Sequence, residues 1–414
     1  MNILFFTHYF PPEVNAPASR TYEHARLWIK AGHKVTIITN HPNHPHGRVF
    51  TGYKNKFISK EVIDGIQVIR LWTYLAPNAG VLKRSLNYTI YALLAFFTGI
   101  MTNGFDIVVG TTPQFFCGLS GLAVAKLKGK PFIGEVRDLW PDSIVAVDAF
   151  KDKFFVNLLY KLEELFYEKS DHLVVLTRSF GNHVENICDT PYTFIPNGVS
   201  WDFWHSRKMH QNGNLQLSKG AFKVGYIGTF GMAHGLDLVL DVAKTTRNQS
   251  EIHYYLIGDG AERQHLEQRV EDEEINNIDI YGLQPKKSIP AILQQLDVIL
   301  VLLKNEKLFE TVIPSKLFEG MVMAKPLIVG LNGETKQLVN DAKAGVTITP
   351  ESKEELQSAI MDLYHNPARG HAFGENGKAY IKRYFLREKL ANQFLPIFNN
   401  LLPPTNAVSN IEAN

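Results

Sequence analysis

Cysteine is scarce in this chain: two residues, Cys117 and Cys188, in 414. Two thiols cannot build a disulfide framework, and both stand in apolar or helical surroundings, so reduced thiols in the cytosol are expected. An excess of charge of one sign is missing too. Lys plus Arg number 43 against 41 Asp plus Glu, leaving +2. That balance gives no support to a nucleic-acid partner, although a local basic patch stays open. The opening MNILFF reads directly as a strand, without the basic start, apolar run and cleavage pattern of a leader, so a cytoplasmic protein is expected. No apolar run reaches the ~20 residues of a plain membrane span. The nearest, residues 86–101, is broken by Asn87, Thr89, Thr98 and Gly99 and preceded by Lys83 and Arg84. Three readings fit it: a domain helix, a helix resting on a bilayer or lipid acceptor, and insertion. Also missing are the Gly-rich dinucleotide fingerprint after the first strand and a dense acidic cluster. Neither a cradled NAD nor an essential metal is therefore expected.

What is present is a strand–helix rhythm, over a length that suits two α/β domains better than one core. Strands are expected at 2–7, 34–39, 106–110, 131–135 and 172–176, with helices at 22–30, 119–127 and 156–169. A polar stretch at 200–220 reads as a connection. The rhythm restarts with strands at 222–227, 252–257, 279–281, 298–302 and 326–329. Helices alternate with them at 236–246, 262–273, 289–295, 316–321 and 353–364. Such alternation predicts parallel sheets covered on both faces. The expected architecture is two Rossmann-like domains, 1–200 and 201–375, facing each other across a cleft at the strand carboxyl ends. Helices at 376–400 would pack back toward the first domain, and 401–414 would form a disordered tail.

Residues 311–330, TVIPSKLFEGMVMAKPLIVG, place a Pro-Ser-Lys turn, a short apolar helix and a buried-looking strand in succession. A helix N-terminus offers unpaired N–H groups, Lys316 a cation, and Glu319 an acceptor for hydroxyls. Phosphate at one end and a sugar diol at the other describe a nucleotide sugar. Residues 224–237, VGYIGTFGMAHGLD, follow the first strand of this half, and Gly225, Gly228 and Gly231 permit close approach of backbone to ligand. Glycine spacing alone is ordinary turn chemistry; with Lys316 it suits a diphosphate. Gly258, Asp259 and Gly260 form another loop after a strand, with Asp259 a turn-capping residue.

In the first half, residues 7–20 (THYFPPEVNAPASR) join strand to helix at the edge where open sheets bind ligands. His8, Glu13 and Asn15 are candidates for the wall of an acceptor pocket; the plainer reading is a loop that starts the helix. His41, His44 and His46 lie in HPNHPHGR, without cysteine or helical spacing to aim a zinc site. A phosphate-side loop with Arg48, Lys54 and Lys56, or a solvated loop, fits them as well. At a later strand end EVRDLWPDS gathers Glu135, Arg137, Asp138 and Asp142. Carboxylates accept from hydroxyls and an arginine keeps them ionised. Asp138 is the lead candidate for orienting an acceptor or serving as base, against a salt-bridged loop anchored by Trp140.

Taken together, the FPPE loop, the Asn197-Gly198 turn, GYIGTFG, Gly258-Asp259-Gly260 and SKLFEGMVMAKP resemble the family 4 glycosyltransferases, over essentially the whole chain up to the last helix. DLWPDS and PSKLFE resemble the branch that builds bacterial surface polysaccharides such as O-antigen, lipopolysaccharide and capsule, including transferases for N-acetylated deoxysugars. The resemblance implies a GT-B fold and retaining transfer from a nucleoside diphosphate sugar, a UDP-sugar by family preference, with no essential metal or other cofactor. The donor would lie in the C-terminal domain and the acceptor in the N-terminal one. A polyprenyl-diphosphate-linked glycan is the implied acceptor, met at the cytoplasmic face of the inner membrane with 86–101 as a peripheral contact.

Glu319 matches the second glutamate of the family's E-x7-E motif and would bind ribose hydroxyls. Ser315, Lys316 and Leu317 would lie near the diphosphate, with Gly228, Thr229, Gly231, His234 and Gly258 completing the donor set. The first glutamate of the motif falls on Thr311, with Glu310 one residue earlier; either Glu310 moves in or the donor is held differently. The Arg and Lys that many members carry after the Gly-rich turn correspond to Thr229 or Phe230 and to His234. The histidine that many carry after the acceptor-domain strand is replaced by Arg137 and Asp138. Asp138, Lys316 and Glu310 are thus the catalytic candidates. No sequence-adjacent carboxylate pair suggests a double displacement, so the resemblance implies front-face substitution, the leaving phosphate helping to deprotonate the incoming hydroxyl. A nucleotide-sugar 2-epimerase and a donor-binding subunit without turnover are the competing readings.

Overall fold

The computed structural model describes residues 1–402 apart from 45–46, 76–80, 113, 146–152, 207–214 and 218. His46, part of the 200–220 connection and the tail from 403 onward lie outside the described residues. Contacts divide the chain into two units, Met1–Pro196 with the chain from Glu388, and Asn197–Arg387.

The first unit is built on an eight-stranded sheet in the order β3-β4-β2-β1-β5-β6-β7-β8. Its strands are β1 Asn2–Phe6, β2 Lys34–Asn40, β3 Ile58–Ile63, β4 Ile66–Leu71, β5 Ile107–Thr111, β6 Phe132–Val136, β7 His172–Val175 and β8 Tyr192–Phe194. All pairings are parallel except β3–β4, with β1 central: Leu4 faces Thr36 on one side and Val108 on the other. β1 and β5 read as unbroken apolar runs because helices cover both faces, and Ile3, Leu4, Phe5 and Phe6 are all buried. The β3–β4 hairpin was not expected. It turns at Asp64 and Gly65, with φ of +48° and +83°, as a two-residue loop demands of both positions. The helix Gly333–Ala342 and the strand that follows it were likewise not foreseen.

The second unit carries a six-stranded, wholly parallel sheet in the order β11-β10-β9-β12-β13-β14. Its strands are β9 Phe222–Thr229, β10 Ile252–Asp259, β11 Ile278–Tyr281, β12 Val298–Leu302, β13 Leu327–Gly330 and β14 Gly345–Thr347. β9 lies between β10 and β12, so its carboxyl end sits where the strand order reverses, the usual place for a ligand in an open α/β sheet.

The unit boundaries differ from the expected 200/201 and 375/376 for a local reason. Entering and leaving strands of chain pair inside the second unit: Val199 N–H donates to Phe385 O at 3.1 Å and Arg387 N–H to Val199 O at 3.0 Å. The helix Pro367–Tyr384, which a break at 375/376 would cut, packs on the helix Ser315–Val322. Only the chain from Glu388 joins the first unit. There Trp28 Nε1 donates to Ala391 O at 3.0 Å, and its ring meets Phe394 at 5.1 Å and Phe398 at 5.2 Å.

Candidate functional site

In the second unit the carboxyl end of β9, a short 3-10 turn and the helix Ser315–Val322 converge on one ammonium. Lys316 Nζ is sealed from solvent, has no hydrogen-bond partner among the described residues, and lies 3.8 Å from the centroid of the Tyr226 ring. Burial pulls its pKa down to about 7, against the opposing charge of Glu319. A buried cation with only a ring face beneath it is poorly compensated. It faces Gly228, whose φ is +151° and whose added Cβ would stand 3.0 Å from Nζ. Glycine here keeps the space over the ammonium open. A Cβ on Gly258, on the neighbouring strand, would come within 1.8 Å of Gly228 O, so that position too is restricted to glycine.

The helix beginning at Ser315 follows Pro314, and no side chain caps it, which leaves its N-terminal dipole available to an anion. Leu317 contributes no side chain to this site: it is fully buried in the core, and its N–H donates to Pro314 O at 3.1 Å. His234 Nδ1 donates to Leu302 O at 3.3 Å. Burial, followed by the charge of Lys316, pulls its pKa down to about 4. Its ring is thus neutral near pH 7 with a lone pair on Nε2, which leaves Lys316, itself close to half-protonated there, as the cationic group facing Gly228. Of the two residues matching the relatives' arginine, Phe230 is fully buried and Thr229 is exposed. Gly231 opens the 3-10 turn Met232–His234, and Asp259 is an exposed residue whose Oδ1 accepts from Gly260 N–H at 2.9 Å.

Glu310 and Thr311 end the 3-10 segment Lys307–Thr311. The Thr311 hydroxyl turns back to Leu308 O at 2.8 Å. Glu310 is half-buried, and its carboxylate has no hydrogen-bond or ion-pair partner among the described residues. Its backbone abuts Gly333 at the start of the next helix, while Thr335 Oγ1 donates to Val312 O at 2.7 Å. The loop is therefore anchored by its main chain, with the Glu310 side chain left over.

In the first unit the candidate residues separate into structural groups and one chemical one. Asn15 caps the helix Ala16–Lys30, its side chain accepting from Ala18 N–H at 2.8 Å. Replacing it by alanine is expected to cost about 1 kcal/mol of stability and to leave the acceptor KM unchanged; urea unfolding and steady-state kinetics check both. Glu13 is buried and accepts from Asn43 N–H and His44 N–H at 2.9 Å and from Phe10 N–H at 3.4 Å, tying its loop to the histidine loop. Burial raises its pKa to about 7 despite those donors. His8 is enclosed edge-on by Tyr9, Tyr88 and Tyr91 with centroids 4.8–5.2 Å away. Its Nε2 accepts from Asn40 Nδ2 at 3.1 Å, and burial lowers its pKa to about 3. All three are engaged in holding their own loops, and among the described residues His8 Nδ1 is left buried without a hydrogen-bond partner.

The strand-end cluster divides similarly. Glu135 is fully buried and paired with Arg20 Nε at 2.8 Å, while the Arg20 Nη atoms donate to Pro196 O at 2.6 Å and Ile195 O at 2.9 Å. Arg137 reaches Pro17 O at 3.4 Å, and Asp142 accepts from the Tyr160 hydroxyl at 2.7 Å. Trp140 stacks on Phe115 at 4.5 Å. Asp138 remains half-buried on this scaffold, and burial raises its pKa to about 6, opposed by hydrogen bonds from Ser143 and Leu139 N–H. A carboxyl poised there can hold or take a proton near neutral pH.

For metals, His41 Nε2 donates to Lys56 O at 3.1 Å and the His44 ring packs on Tyr9 at 5.2 Å, so those two are engaged separately. Among the described residues the ligand atoms of Asp237, Glu262 and His265 converge. The Asp237 carboxylate, however, is already bonded to His265 Nε2 at 2.9 Å and Arg269 Nη1 at 2.8 Å, so the protein supplies the positive charge there.

A family model described as Glycosyltransferase Family 4 matches residues 18–203, and one described as Glycosyl transferases group 1 matches residues 210–380. The chain belongs to glycosyltransferase family 4. A protein of Escherichia coli K12 assigned to colanic acid biosynthesis as the glycosyl transferase WcaI is 24% identical over 411 residues, 94% of this chain and 99% of that one. Among solved structures, sucrose-phosphate synthase from Thermosynechococcus elongatus superposes with TM-score 0.74 at 15% identity, over 97% of this chain and 98% of that one. Anabaena HepE in complex with UDP-glucose does so with TM-score 0.69 at 14% identity, over 97% and 100%. The fold is the GT-B fold of these enzymes. Within it, Tyr226 and Arg20 are the residues that sequence reasoning passed over. Tyr226 stands two residues before Gly228 on the same face of β9, a period-two signal that was readable; Arg20 had no local signal.

Proposed function

We propose that this glycosyltransferase catalyses retaining transfer of a sugar, from a UDP-sugar, to a polyprenyl-diphosphate-linked glycan in bacterial surface polysaccharide synthesis, at the cytoplasmic face of the membrane and without an essential metal. The observation that carries the donor half is the unpartnered, sealed ammonium of Lys316 opposite Gly228, beside an uncapped helix N-terminus. Such a pair of fixed donors suits the charge that develops on a leaving diphosphate. In this reading Glu319, one turn along the same helix, would take the ribose hydroxyls, and Glu310 the transferred sugar. Asp138 is the acceptor-side group, orienting or polarising the incoming hydroxyl. The relative named for colanic acid biosynthesis supports the polysaccharide reading, and the neighbour solved with UDP-glucose supports the donor class.

The test is mass-spectrometric product analysis with a panel of nucleotide sugars, with and without polyprenyl diphosphate sugars, in EDTA. A gain of one glycosyl unit on the lipid, with the anomeric configuration of the donor kept, is the expected result. Donor altered without any acceptor would point to epimerase chemistry, and inverted product or restoration only by divalent metal would overturn the mechanism.

A further inference from the structure

A lysine in water holds its proton and is a poor nucleophile; one stripped of water and given no acceptor releases the proton and exposes a lone pair. Lys316 is of the second kind. Its Nζ is sealed, has no hydrogen-bond partner among the described residues, and rests 3.8 Å from the centroid of the Tyr226 ring. Burial brings its pKa to about 7. About half of it therefore carries a free lone pair at pH 7, against roughly one part in 10³ for an ammonium in water.

The groups around Nζ leave that lone pair unclaimed. On its own helix, Ser315–Val322, Glu319 is the charge that favours protonation, and it is outweighed by burial. From β9 comes Tyr226, whose hydroxyl is spent on Thr229 O at 2.8 Å. From the 3-10 turn comes His234, with Nδ1 given to Leu302 O and Nε2 left without a partner among the described residues. β10 meets Gly228 through Gly258, so neither strand places a side chain there. Beside the amine the same helix begins without a side-chain cap, and its N-terminal dipole favours an anion. A nucleophilic nitrogen next to an anion seat selects molecules that carry both a carbonyl carbon and a phosphate.

We infer that this pocket, when empty of donor, captures small phosphorylated aldehydes covalently, as an imine on Lys316 Nζ. The amine lone pair attacks the carbonyl carbon, and the C=O π electrons become the hydroxyl of a carbinolamine. Loss of water then leaves the C=N bond: the carbonyl oxygen departs with the two hydrogens of the neutral amine. His234 Nε2 is the base at hand to carry a proton from nitrogen to oxygen. No oxidant or reductant is required, and hydrolysis reverses the step. Capture goes beyond the transferase reading and rests on it only for its consequence, since an imine here would exclude the donor and inhibit transfer.

The experiment treats the full chain, free of nucleotide sugar, with pyridoxal 5′-phosphate, reduces the product with borohydride and maps the modified peptides by mass. Lys316 should be labelled at pH 7 at least ~10-fold faster than exposed lysines such as Lys60 and Lys343. Its rate should rise ~5-fold from pH 6 to 7 and level off above about pH 8, whereas an ordinary lysine keeps gaining ~10-fold per unit. Pyridoxal, the same aldehyde without the phosphate, should label it ~10-fold more slowly. Lys316→Arg should lose this adduct and keep the others. Labelling of Lys316 no faster than of exposed lysines would overturn the proposal, as would a rate still climbing tenfold per unit above pH 8, or equal rates with pyridoxal. Excess UDP-sugar should protect Lys316. An adduct that UDP-sugar leaves untouched would support capture and remove the donor from this pocket. No adduct on Lys316 in a chain that still transfers sugar would overturn capture and leave the transferase reading intact.

Discussion

Lys316→Met should lower glycosyl transfer by about 10²- to 10³-fold and at the same time raise the melting temperature of the unliganded protein. The first effect follows from removing the ammonium that faces the proposed diphosphate and that a bound anion would hold protonated, and loss of such a preorganised charge costs about 3–4 kcal/mol of transition-state stabilisation. The second follows from the same geometry. Nζ is sealed from water, has no hydrogen-bond partner among the described residues, and rests on the Tyr226 ring. A thioether of similar length keeps the contact with the ring and removes the desolvation penalty, a change that stabilises proteins by about 1–3 kcal/mol where the buried charge is poorly paired. Stability and activity therefore move in opposite directions, as at sites where a fold carries strain for function. Calorimetry and initial-rate assays on the purified variant decide the matter. A loss of activity accompanied by a lower melting temperature would mean that the ammonium is a structural group. Activity within a few-fold of wild type would remove Lys316 from the chemistry.

Legibility in the sequence tracked how local each cause was. The parallel strands were readable because buried strands advertise themselves as apolar runs, as Ile107–Thr111 and Val298–Leu302 do. The β3–β4 hairpin was signalled by Asp64-Gly65 between alternating residues, a local cue left unused. Lys316 was legible since its helix, its position in the first turn and its flanking Pro-Ser are adjacent in sequence. What holds it could not be read that way: Tyr226 lies ninety residues away and meets it through sheet order. The same limit hid what holds the first loop. His8, Glu13 and Asn15 look like ligand groups in one dimension, but their partners are Asn40, the Asn43 and His44 amides, and Ala18. Glu135 pairs with Arg20 across 115 positions, whereas burial pushes the carboxyl of Asp138, in the same cluster, up to about 6. The unit boundary was displaced by the Val199–Leu386 bridge, a contact between two segments that no composition change marks.

Donor affinity should weaken as pH rises above neutrality, by roughly tenfold per unit between about pH 7 and 9, since each unit of pKa separation is worth about 1.4 kcal/mol. Burial holds Lys316 in the empty protein near pKa 7. A bound diphosphate favours the charged form and raises that pKa, so binding takes up a proton wherever the pH exceeds the free-protein value. His234 adds little in this window, because its free-protein pKa of about 4 keeps it neutral until the anion is present. The fold responds with the opposite sign. The unfolded chain keeps this lysine protonated to about pH 10.4 whereas the empty fold releases the proton near 7, so this group destabilises the empty fold most at and below neutrality, and less as pH rises. Isothermal titration with a UDP-sugar in buffers of different ionisation enthalpy would measure both the slope and the proton uptake. Lys316→Arg supplies the contrast, since a guanidinium stays charged throughout this range and its binding should be nearly independent of pH. A wild-type profile that is flat from pH 7 to 9 would mean that the ammonium does not meet the diphosphate. An arginine variant with the wild-type slope would assign the titration to another group.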